Sequence, residues 1–142
     1  LTLLVVDANV VIKWFVPEDD RAAALKLRAS GAGFATPDLL FVESANILWK
    51  LVKRGEIEPE RAPAIIDEIV AAPWVVHATR SLARDAVDLA LATGISAYDA
   101  SYVALAMRLN TICITADRKL LEKLRGTPAA AHVTLLAEAI VH

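Results

Sequence analysis

The sequence predicts an α/β fold: a single-domain, three-layer sandwich on a central parallel sheet of about five strands. Three observations predict it. Short apolar runs alternate with longer helical patterns along the whole chain, the order that βαβ units produce. The runs are apolar at successive positions, as in strands covered on both faces. With 142 residues, 56% of them hydrophobic, there is enough apolar material for one core and too little length for a second.

The elements follow in order. Leu3–Val6 reads as a buried strand, Asn9 to Val16 as a short helix ended by Pro17, and Asp19 to Ser30 as a helix stopped by Gly31. Phe34–Thr36 is a brief strand closed by Pro37. Asp38 to Arg54 is a long helix, with Asp38 as its N-cap and Gly55 at its C-terminal end. Pro59 to Ala71 is the next helix, with Pro59 in the tolerated first turn. Trp74–Ala78 is a strand, Ser81 to Thr93 a helix stopped by Gly94, and Ala97 to Asn110 a further helix. Ile112–Thr115 is a strand, Asp117 to Leu124 a helix, and His132–Leu135 the last strand, followed by a helical turn. Residues 1–142 form one domain, with Gly126–Ala131 the loosest stretch.

Composition narrows the function. The 15 basic and 17 acidic side chains leave a net charge of −2, which announces no nucleic-acid binding but allows a local basic patch. No run of about 18 apolar residues escapes a polar interruption, so no membrane span is expected. No secretory signal is expected either, because apolar strand sequence begins at Leu3 with no basic segment before it. The chain starts at Leu1, and its native start is expected to be missing or altered. The one cysteine, Cys113, reads as a buried thiol in a reducing cytoplasm. His77, His132 and His142 lack the spacing of zinc ligands.

The long helix is unusual. At 100° per residue its apolar arc covers roughly 220°, against the roughly 100° that a one-sided surface helix needs. Leu40, Ile47, Leu51, Leu48, Val52, Ala45, Val42 and Trp49 make that arc, and Glu43, Asn46, Lys50 and Lys53 make a narrow polar strip. Two packing neighbours are expected, either both within the chain or one in another subunit.

Ligands of open parallel sheets bind beyond the strands' C-terminal ends, where strand order reverses. Asp7 directly follows the first strand and Asp117 follows Ile112–Thr115 by two residues, so both carboxylates lie at that edge. Taken alone, each also reads as the cap of its own helix, but an acid just after a buried strand is costly to desolvate and calls for a partner or a cation. Glu43 stands on the border of the apolar arc. Asp99 ends Ser96-Ala97-Tyr98-Asp99, a capping-box pattern that aims a carboxylate beyond the helix start.

Four segments in order resemble a known family: Val5-Val6-Asp7-Ala8-Asn9-Val10-Val11; Glu43-Ser44-Ala45-Asn46; Ser96 through Asp99 to Ala106; and Ile114-Thr115-Ala116-Asp117-Arg118-Lys119-Leu120. In order and spacing they look like the motifs of PIN-domain ribonucleases, most closely VapC-type toxins of toxin–antitoxin pairs. The resemblance covers essentially the whole chain. It implies an acidic pocket of Asp7, Glu43, Asp99 and Asp117 binding Mg²⁺ or Mn²⁺, with Asn9 and Thr115 supporting it by hydrogen bonds. Some relatives carry another acid where Ser96 stands, which bears on how firmly a second ion is held. It also implies a homodimer and a small antitoxin whose C-terminal segment covers the site.

The chemistry agrees. Two carboxylates about 4 Å apart repel by roughly 4 kcal/mol at an effective dielectric near 20, so four share a crevice only with a cation or with protons. All-oxygen ligands suit Mg²⁺ or Mn²⁺. Such ions activate water and stabilise the departing oxygen in phosphodiester hydrolysis. Asp7 and Asp99 are expected as principal ligands, with Glu43 and Asp117 acting through waters or a second ion and one of them accepting the proton. The polyanionic substrate needs basic surroundings: setting the four acids aside leaves 15 basic against 13 acidic residues. Lys13, Lys50, Arg118 and Lys119 are the candidate RNA contacts, to a single-stranded or looped segment. Trp14, Trp49, Trp74, Phe15 and Phe41 read as core. Two other classes compete. A receiver-like phospho-acceptor needs a lysine after a late strand, where this chain has Leu136-Ala137-Glu138; a catalytically silent PIN-fold partner would not need all four acids.

Overall fold

The structure is a computed structural model describing residues 3–139. Five strands, β1 (Leu3–Val6), β2 (Gly33–Pro37), β3 (Val75–His77), β4 (Cys113–Thr115) and β5 (Val133–Leu135), form one sheet. Their order is β3-β2-β1-β4-β5, and every pair is parallel. The α/β sandwich is thus as predicted. Between the strands run α1 (Ala8–Val11), α2 (Arg21–Arg28), α3 (Leu39–Lys53), α4 (Arg61–Ala71), α5 (Thr79–Thr93), α6 (Ala97–Arg108) and α7 (Arg118–Leu124). From β1 the chain steps to β2 and β3, then crosses back to β4 and β5. With right-handed crossovers, α1–α4 cover one face of the sheet and α5–α7 the other. No single helix among the described residues is long and apolar enough to cross a membrane.

Several boundaries shift for identifiable reasons. The first helix is a single α-turn followed by a 3-10 turn, Ile12–Trp14. The helix begun on paper at Asp19 starts at Arg21, because Asp20 adopts a left-handed φ of 64°. Asp38 makes no side-chain cap on α3; its Oδ1 instead accepts the Thr79 amide at 3.0 Å, tying the start of α3 to the start of α5. Pro59 precedes α4 rather than lying in its first turn. Strand β3 is an edge strand, so Val75 and Val76 are half exposed rather than covered on both faces.

Helix α6 is the inner column of the fold. Every residue from Ala100 to Ala106 is buried, and the helix lies against β1, β2 and β4. Its alanines let it approach the sheet closely. It begins where it does because Gly94, at φ +82°, ends α5 in a conformation that favours glycine. The Ser96 hydroxyl then accepts the Asp99 amide at 3.1 Å.

At the opposite edge of the sheet, Trp14 and Trp74 stack with centroids 5.8 Å apart and planes 8° from parallel. Their indole nitrogens donate to the carbonyls of Ala24 and Ile69, so both join the core without unmet donors. Trp49 does not: it is 55% exposed on α3, where the Lys53 ammonium sits 4.4 Å over its ring. Val42, 65% exposed, lies on the same side. The wide apolar arc of α3 is therefore only partly covered within the chain, by α1, α4 and β2.

The burial pattern gives a stability test. Leu105→Ala, in the fully buried part of α6, should lower unfolding free energy by about 2–5 kcal/mol. Leu91→Ala, at an exposed position on α5, should change it by no more than about 0.5 kcal/mol. Urea denaturation of the two variants checks both.

Candidate active site

Strand order reverses between β1 and β4, and Asp7 and Asp117 follow the ends of these two strands. Asp7 leaves the end of β1 with only 4% of its surface exposed. It occupies the N-cap position of α1 but caps nothing with its side chain. Its Oδ2 accepts from Asn9 Nδ2 at 3.3 Å and from Thr115 Oγ1 at 3.2 Å. Asn9 Oδ1 accepts the Ala116 amide at 3.1 Å, and Thr115 Oγ1 the Asp117 amide at 3.2 Å. These bonds stitch the end of β1 to the end of β4.

Three further carboxylates come from other elements. Glu43 projects from the second turn of α3, half-buried, and its Oε1 is enclosed without a hydrogen-bond partner. Asp99 lies in the first turn of α6, tethered through its amide to Ser96. Asp117 caps α7, accepting the Lys119 and Leu120 amides at 2.9 and 3.3 Å through Oδ1.

Burial and mutual repulsion raise the proton affinity of this group. Desolvation, then the charges of Asp99 and Glu43, push the Asp7 carboxyl up to about 7, against the pull of Thr115 and Asn9. Glu43 is raised by burial and by Asp99, and the Tyr102 hydroxyl offsets part of this. Asp99 is raised by burial and by Asp117, with Ser96 and the Lys123 ammonium opposing. Buried Cys113, in β4 beneath the site, is likewise pushed up by burial and by Asp7 and Asp99.

Asp7, Glu43 and Asp99 are thus close electrostatic neighbours, and Asp117 joins them through Asp99. They do not form a closed ligand cage: among the described residues no three His, Cys, Asp or Glu side chains stand at common metal-ligand spacing. The donor set nevertheless fits a hydrated divalent cation. It is all carboxylate, and like charge raises the proton affinity of Asp7, Glu43 and Asp99. Mg²⁺ keeps several waters and needs only one or two direct carboxylates.

The basic candidates divide. Lys50, Arg118 and Lys119 are exposed, Arg118 and Lys119 immediately beside Asp117. Lys13 is not on the open surface. It is 8% exposed and its ammonium lies 4.0 Å from Glu18, so it offers no free cation at the surface. One neighbour of the acids, Tyr102, was not singled out from sequence, because it lies within a mostly apolar stretch of α6. For Tyr102 the available signal was its place three residues after Asp99, on the same side of the helix.

The fold is that of a nuclease, and the chain belongs to the PIN domain family, whose model matches residues 4–126. It is 36% identical over 126 residues to Ribonuclease VapC3 of Pyrobaculum aerophilum, covering 84% of this chain and 93% of that protein. The crystal structure of PAE2754 from Pyrobaculum aerophilum superposes with a TM-score of 0.68 at 20% identity, covering 96% of this chain and 85% of the other. A toxin–antitoxin complex from Klebsiella pneumoniae contains a chain that superposes with a TM-score of 0.61 at 18% identity, covering 98% of this chain and 100% of that one. The two structural likenesses concern the fold.

The raised Asp7 carboxyl makes a signed prediction. The folded state holds a proton that the unfolded chain, with an aspartate near 3.8, gives up earlier. Metal-free stability should therefore fall as pH rises from about 4 through about 7. In Asp7→Asn this fall should be shallower. At pH 8 with chelator the variant should be more stable by about 2–4 kcal/mol, a gain that disappears near pH 4. Urea melts across pH check it.

Proposed function

We propose that this chain is the ribonuclease toxin of a toxin–antitoxin pair, an endonuclease that hydrolyses RNA phosphodiester bonds with a divalent cation, Mg²⁺ or Mn²⁺. The observation that carries the reading is the convergence of Asp7, Glu43 and Asp99 at the switch point of a PIN fold, with every one of the three carboxyls raised. The relative named Ribonuclease VapC3 supports the substrate class.

In this reading Asp7 and Asp99 are the principal ligands, with Glu43 and Asp117 acting through waters or a second ion. Bound there, the cation activates water and offsets charge on the leaving oxygen. Asn9 and Thr115 fix Asp7 by their hydrogen bonds, and Asp7 gives up its proton on binding. Ser96 holds the start of α6, and with it Asp99, in place. Glu43, with its raised proton affinity, takes the proton of the attacking water. Arg118, Lys119 and Lys50 contact RNA phosphates around this acidic centre.

The partners are the RNA, an antitoxin protein and a second copy of the chain. The toxin–antitoxin complex from Klebsiella pneumoniae supports the antitoxin, and the uncovered apolar side of α3 supports a protein interface. A cytoplasmic setting suits the single buried thiol.

Mapping of cut sites on total RNA tests the reading. Cleavage should require Mg²⁺ or Mn²⁺, cease with a chelator and be lost in Asp7→Asn by a factor of roughly a thousand or more, since a principal metal ligand is removed. Metal-independent cutting, or turnover retained in that variant, would overturn it. A chain that neither cuts RNA nor gains thermal stability from millimolar Mn²⁺ would be a silent binding partner instead. The double variant Arg118→Ala with Lys119→Ala should flatten the slope of log affinity against log salt by about 1–1.5, measured on a catalytically blocked chain.

A further inference from the structure

Helix α6 offers the site a second polar group besides Asp99. Tyr102 lies three residues on, so both side chains leave the same side of the helix. It is 1% exposed, the largest of the fully buried side chains. A tyrosine so placed ordinarily finds a partner for its hydroxyl. Here it makes no hydrogen bond, and neither does the enclosed Glu43 Oε1. The hydroxyl nevertheless faces the Glu43 carboxyl, and Asp7 lies nearby as well. Two buried polar atoms, one able to donate and one able to accept, stand beside each other unjoined. Leaving both unmet is costly.

We propose that Tyr102 is a positioning residue of the acidic site: its hydroxyl donates to Glu43 Oε1 and turns the other carboxylate oxygen toward Asp7 and Asp99, ready for the divalent cation. This rests on the function proposed above. It accounts for the Tyr102 hydroxyl, whereas the other hydroxyl of this segment, on Ser101, already donates to the Ala97 carbonyl at 2.8 Å. A phenylalanine would fill the same space and leave nothing unsatisfied. It also gives Glu43 a fixed direction, which the turn of α3 alone does not supply. Outer partners that orient ligating carboxylates in this way commonly carry ten- to a hundredfold of a site's metal affinity.

The test is Tyr102→Phe in the full chain, with Mn²⁺ binding followed by calorimetry and folding by urea denaturation without metal. The variant should fold as stably as the parent or more so, because an unmet buried hydroxyl is removed. It should bind Mn²⁺ roughly tenfold or more weakly. In the Glu43→Gln background the same change should weaken binding by less than about twofold, since the carboxylate it orients is gone. Unchanged Mn²⁺ affinity in Tyr102→Phe, or an equal loss with and without Glu43, would overturn the inference while leaving the ribonuclease reading intact. A parent chain that binds no Mn²⁺ and cuts no RNA would overturn both.

Discussion

The site depends on one costly arrangement, a carboxylate buried at the end of the central strand with two others turned toward it. Asp7 cannot be solvated there, and Glu43 and Asp99 oppose its ionisation. Lifting its carboxyl from 3.8 to about 7 corresponds to roughly 4 kcal/mol against the ionised form. The hydrogen bonds from Asn9 and Thr115 offset part of that but cannot neutralise charge. A group so placed takes up a proton or a cation, and both choices are written into the same three residues. A cation bound as proposed would displace that proton, so its affinity would rise with pH.

Sheet topology is what makes the arrangement reachable. Because the chain leaves β1 in one direction and returns beside it with β4, the ends of these strands are neighbours although more than a hundred residues apart. Thr115 serves both sides of the seam, donating to Asp7 and accepting from the Asp117 amide. Helices α3 and α6 then bring Glu43 and Asp99 from opposite layers. No acid depends on a long flexible loop: each follows a strand or sits within two turns of a helix start, which limits how far repulsion can push them apart.

The parts legible in the sequence are those where a local rule and the tertiary structure agree. Asp7 and Asp117 were found because they follow apolar runs, Asp99 because Ser96 precedes it by three, and Glu43 because it borders an apolar arc. Residues whose surroundings come from a distant element were not. Lys13 looked like a free cation until its turn was seen folded beneath Glu18. Trp49 looked like core because periodicity reports direction around one helix axis and not whether anything lies there. Tyr102 vanished into a run of apolar neighbours, although its hydroxyl is what distinguishes that position. Asp38 matched a cap by position, yet its carboxylate serves the amide of Thr79. In each case the missing information is the neighbour from a distant element, which local sequence does not encode.

The frame that tolerates this repulsion is built of packed side chains. Helix α6, which carries Asp99 in its first turn, is buried from Ala100 to Ala106, and the Trp14–Trp74 stack packs with both indole donors satisfied. Local destabilisation at a functional site persists only where surrounding structure over-determines the geometry, and here the interior of α6, wedged against β1, β2 and β4, does so from directly behind the acids.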